Sequence, residues 1–227
     1  MRNFPFFLLL FFVACSPQKK QSIEGVYSAE NSDPHQLWIL TDDYFSAITF
    51  KDQEYISSKG GTYEFKENEL LVNTEYNDRN PSKVGEQITY QLTFEGDNFT
   101  DEKGDKFIKQ PPHSQKLDGV WKISGRYNNG KFEEIGHTGS RKTIKILKDG
   151  YFQWIALEPD AKKFYGTGGG KYTFKNGKYT EEILFFSKDD SRVGVKLPFE
   201  GELIDGDWHH IGKSSKGNPF HEVWVLD

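Results

Sequence analysis

The chain has a single cysteine, Cys15, among 227 residues. That excludes an internal disulfide framework and a thiolate zinc cluster. No apolar run approaches the roughly 20 residues that a membrane-crossing helix needs. Basic residues are in deficit, 29 Lys+Arg against 34 Asp+Glu, which argues against a nucleic-acid backbone as partner. No segment after the first twenty or so residues repeats its apolar positions with the helical period. Catalytic signatures are missing too. There is no Gly-x-Ser-x-Gly elbow, and no HxH or HExxH spacing among the histidines. His209 and His210 are adjacent, so on a strand they face opposite ways. Gly166 to Lys171 has the glycines of a phosphate loop, but Tyr172 stands where that motif needs Ser or Thr. We therefore expect no catalytic residue, no metal and no cofactor.

The N-terminus carries its own signal. Met1-Arg2-Asn3 is a short basic start, and Phe4 to Ala14 is an apolar run interrupted only by Pro5. Its length suits the core of a signal peptide. The run ends in Phe12-Val13-Ala14-Cys15, which resembles the lipobox of bacterial lipoproteins. The resemblance implies cleavage after residue 14 and lipidation of Cys15, with residues 15–22 as anchor and tether. Phe12 is a loose match at the first position, and an ordinary secretory signal is the alternative. Several acyl chains on one residue give stable membrane anchoring. Ser16 after the cysteine implies the outer membrane by resemblance to lipoprotein sorting. No acidic cluster follows it, so the expected side is periplasmic, with surface exposure as the alternative.

The remainder divides into two related halves. Ile23-Glu24-Gly25-Val26-Tyr27 matches Leu117-Asp118-Gly119-Val120-Trp121. Residues 37–48 (LWILTDDYFSAI) match 144–155 (IKILKDGYFQWI), and Gly60-Gly61-Thr62-Tyr63-Glu64-Phe65 matches Gly169-Gly170-Lys171-Tyr172-Thr173-Phe174. Constant order and nearly constant spacing predict tandem domains, 23–110 and 117–227, joined by a linker at 111–116. The second half carries an insertion between Gly125 and Arg141, read as a polar loop suited to binding. Charge is uneven. Residues 21–112 hold 8 basic and 18 acidic side chains, whereas residues 113–227 hold 18 and 16. Drift of a solvated surface is the plain explanation, and different partners for the two halves is the sharper one.

Short runs rich in Val, Ile, Tyr, Phe and Thr, punctuated by Asp-Gly and Asn-Gly, predict antiparallel strands and hairpins. Alternation then assigns faces. Tyr172 and Phe174 face inward, as do Tyr179, Glu181, Ile183 and Phe185. Glu181 is out of place, because the first half has Val72 there. A buried carboxylate needs a partner, and His210, in register with Trp208 on the last hairpin, is the candidate. Glu181 at the water-filled rim, or paired with an arginine, is the alternative.

These segments resemble a family of small secreted or lipid-anchored Bacteroidetes proteins with a lipocalin-like fold and no established activity. The residues that carry the likeness are Gly119-Val120-Trp121, Asp149-Gly150-Tyr151-Phe152-Gln153-Trp154, Gly168 to Phe174, Tyr179-Thr180-Glu181, Gly206 to Gly212 and Glu222-Val223-Trp224. The resemblance implies an all-β chain of two tandem small antiparallel lipocalin-like barrels, the first a degenerate copy. The expected function is binding of a small apolar or amphipathic ligand in the second barrel. Trp154, Tyr172, Phe185, Phe199 and Trp208 would give apolar contact, and Glu181 and His210 would orient a polar group. Glu222 and Trp224 are secondary candidates. An envelope protein docking on packed barrels is the alternative, and acid–base chemistry by Glu181 and His210 a third reading.

Overall fold

A computed structural model describes residues 22–136, 139–214 and 217–227. The proposed signal and the lipidation residue Cys15 lie outside the described residues. The fold is all-β, and the strands of the described residues form two separate sheets.

The first sheet contains β1 (Gly25–Ala29), β2 (His35–Leu40), β3 (Tyr44–Lys51), β4 (Glu54–Lys66), β5 (Glu69–Asn77), β6 (Gln87–Gln91), β7 (Thr93–Glu95), β8 (Asn98–Thr100) and β9 (Lys106–Lys109). Neighbours run β6-β5-β4-β3-β2-β1-β9-β8-β7. The two ends, β6 and β7, are separated along the chain only by Leu92, so the ring is nearly closed. Leu92 donates its N–H to the Asn68 carbonyl at 2.9 Å.

The second sheet contains β10 (Gly119–Asn128), β11 (Lys131–Glu134), β12 (Lys142–Lys148), β13 (Tyr151–Glu158), β14 (Lys163–Lys175), β15 (Lys178–Phe186), β16 (Lys196–Ile204), β17 (Asp207–Lys213) and β18 (Pro219–Leu226). Pairing of β10 with β18 closes eight of these into a barrel, and β11 hangs on β10 as an extra hairpin strand. The insertion expected as a loop is thus partly a strand, with Tyr127 opposite Phe132. Strand β16 changes partner midway, from β15 to β17. At the change Gly201 donates to the Gly177 carbonyl at 2.9 Å, the counterpart of the Leu92 bond. A strand that switches neighbours at a bend is one way for a small sheet to turn a corner.

The repeat extends to irregularities. A bulge falls between Gly60 and Gly61 of β4 opposite β5, and another between Gly169 and Gly170 of β14 opposite β15. A Cβ on Gly61 would lie 1.9 Å from the Asn73 carbonyl oxygen, and one on Gly170 2.0 Å from that of Glu182. The backbone approaches too closely for any other residue. Opposite each bulge the partner strand has one extra residue, and its alternation flips.

That flip corrects one assignment. Ile183 faces the second barrel's interior, but Phe185 faces outward and Phe186 inward. Phe185 packs against Phe50 and Tyr55 of the first half at ring distances of 5.5 and 6.3 Å. It belongs to an apolar layer between the barrels, with Val26, Leu37, Ile39, Tyr44, Ile48 and Tyr76 on one side and Val120, Ile144, Ile146, Ile155 and Leu157 on the other.

Within this layer lies a polar knot. Gln153, fully buried, accepts from the Ser46 hydroxyl at 2.5 Å and donates to Ser58 at 2.9 Å and Thr167 at 3.0 Å. Ser46 and Ser58 both contact the Tyr76 hydroxyl. Ion pairs flank the layer, Lys142 with Glu75 and Lys148 with Glu24, each at 2.9 Å. Some of the first half's excess acidity therefore meets lysines of the second half.

Candidate functional site

The clearest internal difference between the barrels is a buried charge. Strand β12 sends Ile144 and Ile146 to the inter-barrel layer and Lys145 and Leu147 inward. Lys145 and Glu181 form an ion pair at 2.9 Å, their side chains 6% and 7% exposed. Tyr179 donates its hydroxyl to the same carboxylate oxygen at 3.0 Å. The Lys145 ammonium lies 5.1, 5.0 and 5.3 Å from the rings of Tyr179, Trp208 and Trp224. Aromatic faces attract a desolvated cation, so three rings and one carboxylate hold it. Burial, followed by the nearby Glu181 charge, drives the Tyr179 hydroxyl well above its ordinary pKa.

The expected Glu181–His210 pair is not formed. Glu181 is bonded to Lys145 and Tyr179, while neither ring nitrogen of His210 has a hydrogen-bond partner. His210 instead sits among rings, stacked on Trp208 at 5.1 Å and edge-on to Phe199 at 4.5 Å and Phe220 at 5.0 Å. Burial, with the Lys145 charge beside it, pushes its pKa down to about 4. Its nearest carboxylate is Glu222, 3.8 Å from Nδ1. Glu222 pairs with Arg126 at 2.9 Å. Burial alone would raise the Glu222 pKa, but His210, Lys145 and Arg126 together hold it below its ordinary value.

One end of this barrel opens into a pocket of about 320 Å³. Trp154, Phe186, Phe199 and Phe220 form its walls, Glu181 and Ile183 lie deeper, and Arg192 and Lys213 stand among its lining residues. Of the nine residues expected to bind ligand, Trp154, Glu181 and Phe199 line it. Trp208, Trp224 and His210 pack in the interior beneath, and Glu222 lies behind them. Tyr172 belongs to the opposite end, where its hydroxyl contacts Asp118. Phe185 faces the other barrel.

The corresponding end of the first barrel is built differently. Its cavity, about 340 Å³, is lined by Gln36, Ser57, Lys59, Asn77 and Asp78 above Trp38. By the repeat spacing, Trp38 stands where the second barrel has Lys145, Ala47 where it has Trp154, and Asn77 where it has Phe186. Lys59 takes the place of Gly168 and reaches over the Tyr90 ring at 5.1 Å. A Cβ on Gly168 would meet Phe186 at 2.6 Å and Trp154 at 2.7 Å. A glycine therefore keeps the second mouth open.

Sequence reading missed Lys145, Phe186, Phe220, Arg192 and Lys213. Lys145 had a signal, since it matches Trp38 within the repeat and shares the inward parity of Leu147. Phe186 was hidden by the bulge.

No protein-family model matches this chain, and a search of curated proteins finds no match. The functional reading therefore rests on the barrel's own chemistry.

Proposed function

We propose that the second barrel binds a small amphipathic molecule at the pocket above Glu181, and that the protein is a lipoprotein tethered by Cys15 to the outer membrane. The observation that carries the reading is the aromatic-walled pocket, whose counterpart in the first barrel is polar and overhung by Lys59. Ligand sites combine apolar walls with few polar groups. Here the walls are Trp154, Phe186, Phe199 and Phe220. Lys213 offers a cation to an anionic head group beside Arg192, which already pairs with Asp189 at 3.7 Å, and Glu181, neutralised by Lys145, offers a polar contact inside. The lipobox-like Phe12-Val13-Ala14-Cys15 supports the anchor.

The test is native mass spectrometry of the purified protein, with Trp fluorescence titrations against long-chain carboxylates and 8-anilinonaphthalene-1-sulfonate. One bound amphiphile per chain and a Trp signal lost in Trp154→Ala are expected. Apo protein only, with no fluorescence change across the panel, would overturn the reading.

A further inference from the structure

A second cluster lies on the outer face of the second barrel, away from the pocket. His209 on β17 and His221 on β18 are diagonal neighbours, since His209 pairs with Val223 and Ile211 with His221. Their ring nitrogens, His209 Nδ1 and His221 Nε2, are 2.8 Å apart. Tyr127, from the strand that carries the insertion hairpin, stacks on His221 at 4.4 Å. Both histidines are half-buried. Glu202 on β16 is directly opposite His209 and exposed.

Among the described residues, no three His, Cys, Asp or Glu side chains already converge on a metal position. The relevant quantity is the separation of the two nitrogens. Metal–imidazole bonds are about 2.0 Å long, so two cis ligands of a square-planar ion lie about 2.8 Å apart and two ligands of a tetrahedral ion about 3.3 Å. The observed 2.8 Å is the length of the hydrogen bond between the two rings, and it leaves the nitrogens at a spacing that a square-planar ion can take up once the rings turn.

We propose that His209 and His221 form a bidentate site for a divalent cation of tetragonal preference, of the Cu²⁺ type, completed by water and the Glu202 carboxylate. In the metal-free pair one imidazole donates to the other. On binding, that ring's proton moves to its outward-facing nitrogen, and a turn of both rings directs the two lone pairs at the ion. No net proton is released. Zn²⁺ binds more weakly, both by its tetrahedral preference and by its place in the affinity order of first-row metals.

The experiment is titration of the purified full chain, without a histidine tag, with Cu²⁺ at neutral pH, followed by calorimetry and electron paramagnetic resonance. One Cu²⁺ per chain with two imidazole nitrogens in its equatorial plane is expected. His209→Gln and His221→Gln should each weaken binding by about tenfold or more, since even outer-shell groups at metal sites carry about that much. Both variants should keep the thermal transition of the parent, and the exposed His35→Gln should bind Cu²⁺ as the parent does. Unchanged affinity in either pair variant, or a spectrum with fewer than two nitrogens, would overturn the proposal.

Discussion

Lys145 Nζ stands 2.9 Å from Glu181 Oε1 inside the second barrel. Ion pairs so placed cost desolvation on both sides, and removing one partner leaves the other uncompensated. Lys145→Met should therefore destabilise the protein by about 3–5 kcal/mol in urea unfolding. The double variant Lys145→Met with Glu181→Leu should recover most of that loss, because it replaces the whole pair with apolar volume. A double variant no more stable than the single would show that the pair's environment, and not the orphaned charge, sets the cost.

The His210 ring gives the fold a defined acid sensitivity. Its pKa is lowered from 6.5 to about 4. As pH falls, the unfolded chain takes up this proton first, so stability drops between about 6.5 and 4 and is independent of this group above that window. The full shift corresponds to about 3 kcal/mol. Glu222 acts in the same direction at lower pH, since its carboxyl is held below the ordinary value. His210→Phe should flatten the slope of unfolding free energy between pH 6.5 and 4.5, measured in urea. An unchanged slope would remove His210 from the account.

Phe185 and Phe186 are adjacent and should behave as opposites. Phe185→Ala opens a hole between the barrels and should cost about 3–5 kcal/mol while leaving amphiphile binding intact in folded protein. Phe186→Ala should cost less stability and weaken binding, because Phe186 is only partly buried and lines the pocket. Thermal melts paired with fluorescence titrations separate the two.

Gly168→Lys would give the second barrel the residue that overhangs the mouth of the first. Its Cβ alone collides with Trp154 and Phe186, so amphiphile binding should fall by at least tenfold. Binding retained in this variant would place the ligand elsewhere.

Gln153 reaches across the inter-barrel layer to Ser46 and Ser58. Gln153→Leu removes its three hydrogen bonds, while Ser46 and Ser58 keep Tyr76 and Thr167 keeps the Trp154 carbonyl, so the cost is about 0.5–1.5 kcal/mol per lost bond. The expected result is a lower urea midpoint, with a retained amphiphile signal in the folded protein.

The all-β class, the antiparallel hairpins and the two-fold repeat were legible in the chain, because alternation, Asp-Gly and Asn-Gly turns and constant spacing are local properties. The inward placement of Glu181 was legible for the same reason. Its partner was not. Period-2 reasoning says which face a side chain takes, but which strands meet across a barrel depends on closure, and closure set Lys145 against Glu181 instead of His210. The bulge opposite Gly170 reversed the parity of Phe185 and Phe186, a single extra residue that alternation cannot anticipate. Contact between the barrels is a property of their outer faces, which the sequence marks as apolar without naming what covers them. The pairing of His209 with His221 joins residues twelve positions apart that sheet register alone makes neighbours. Local chemistry thus determined the elements and their faces. Tertiary structure decided which faces meet, because only packing and sheet closure bring distant strands within bonding distance.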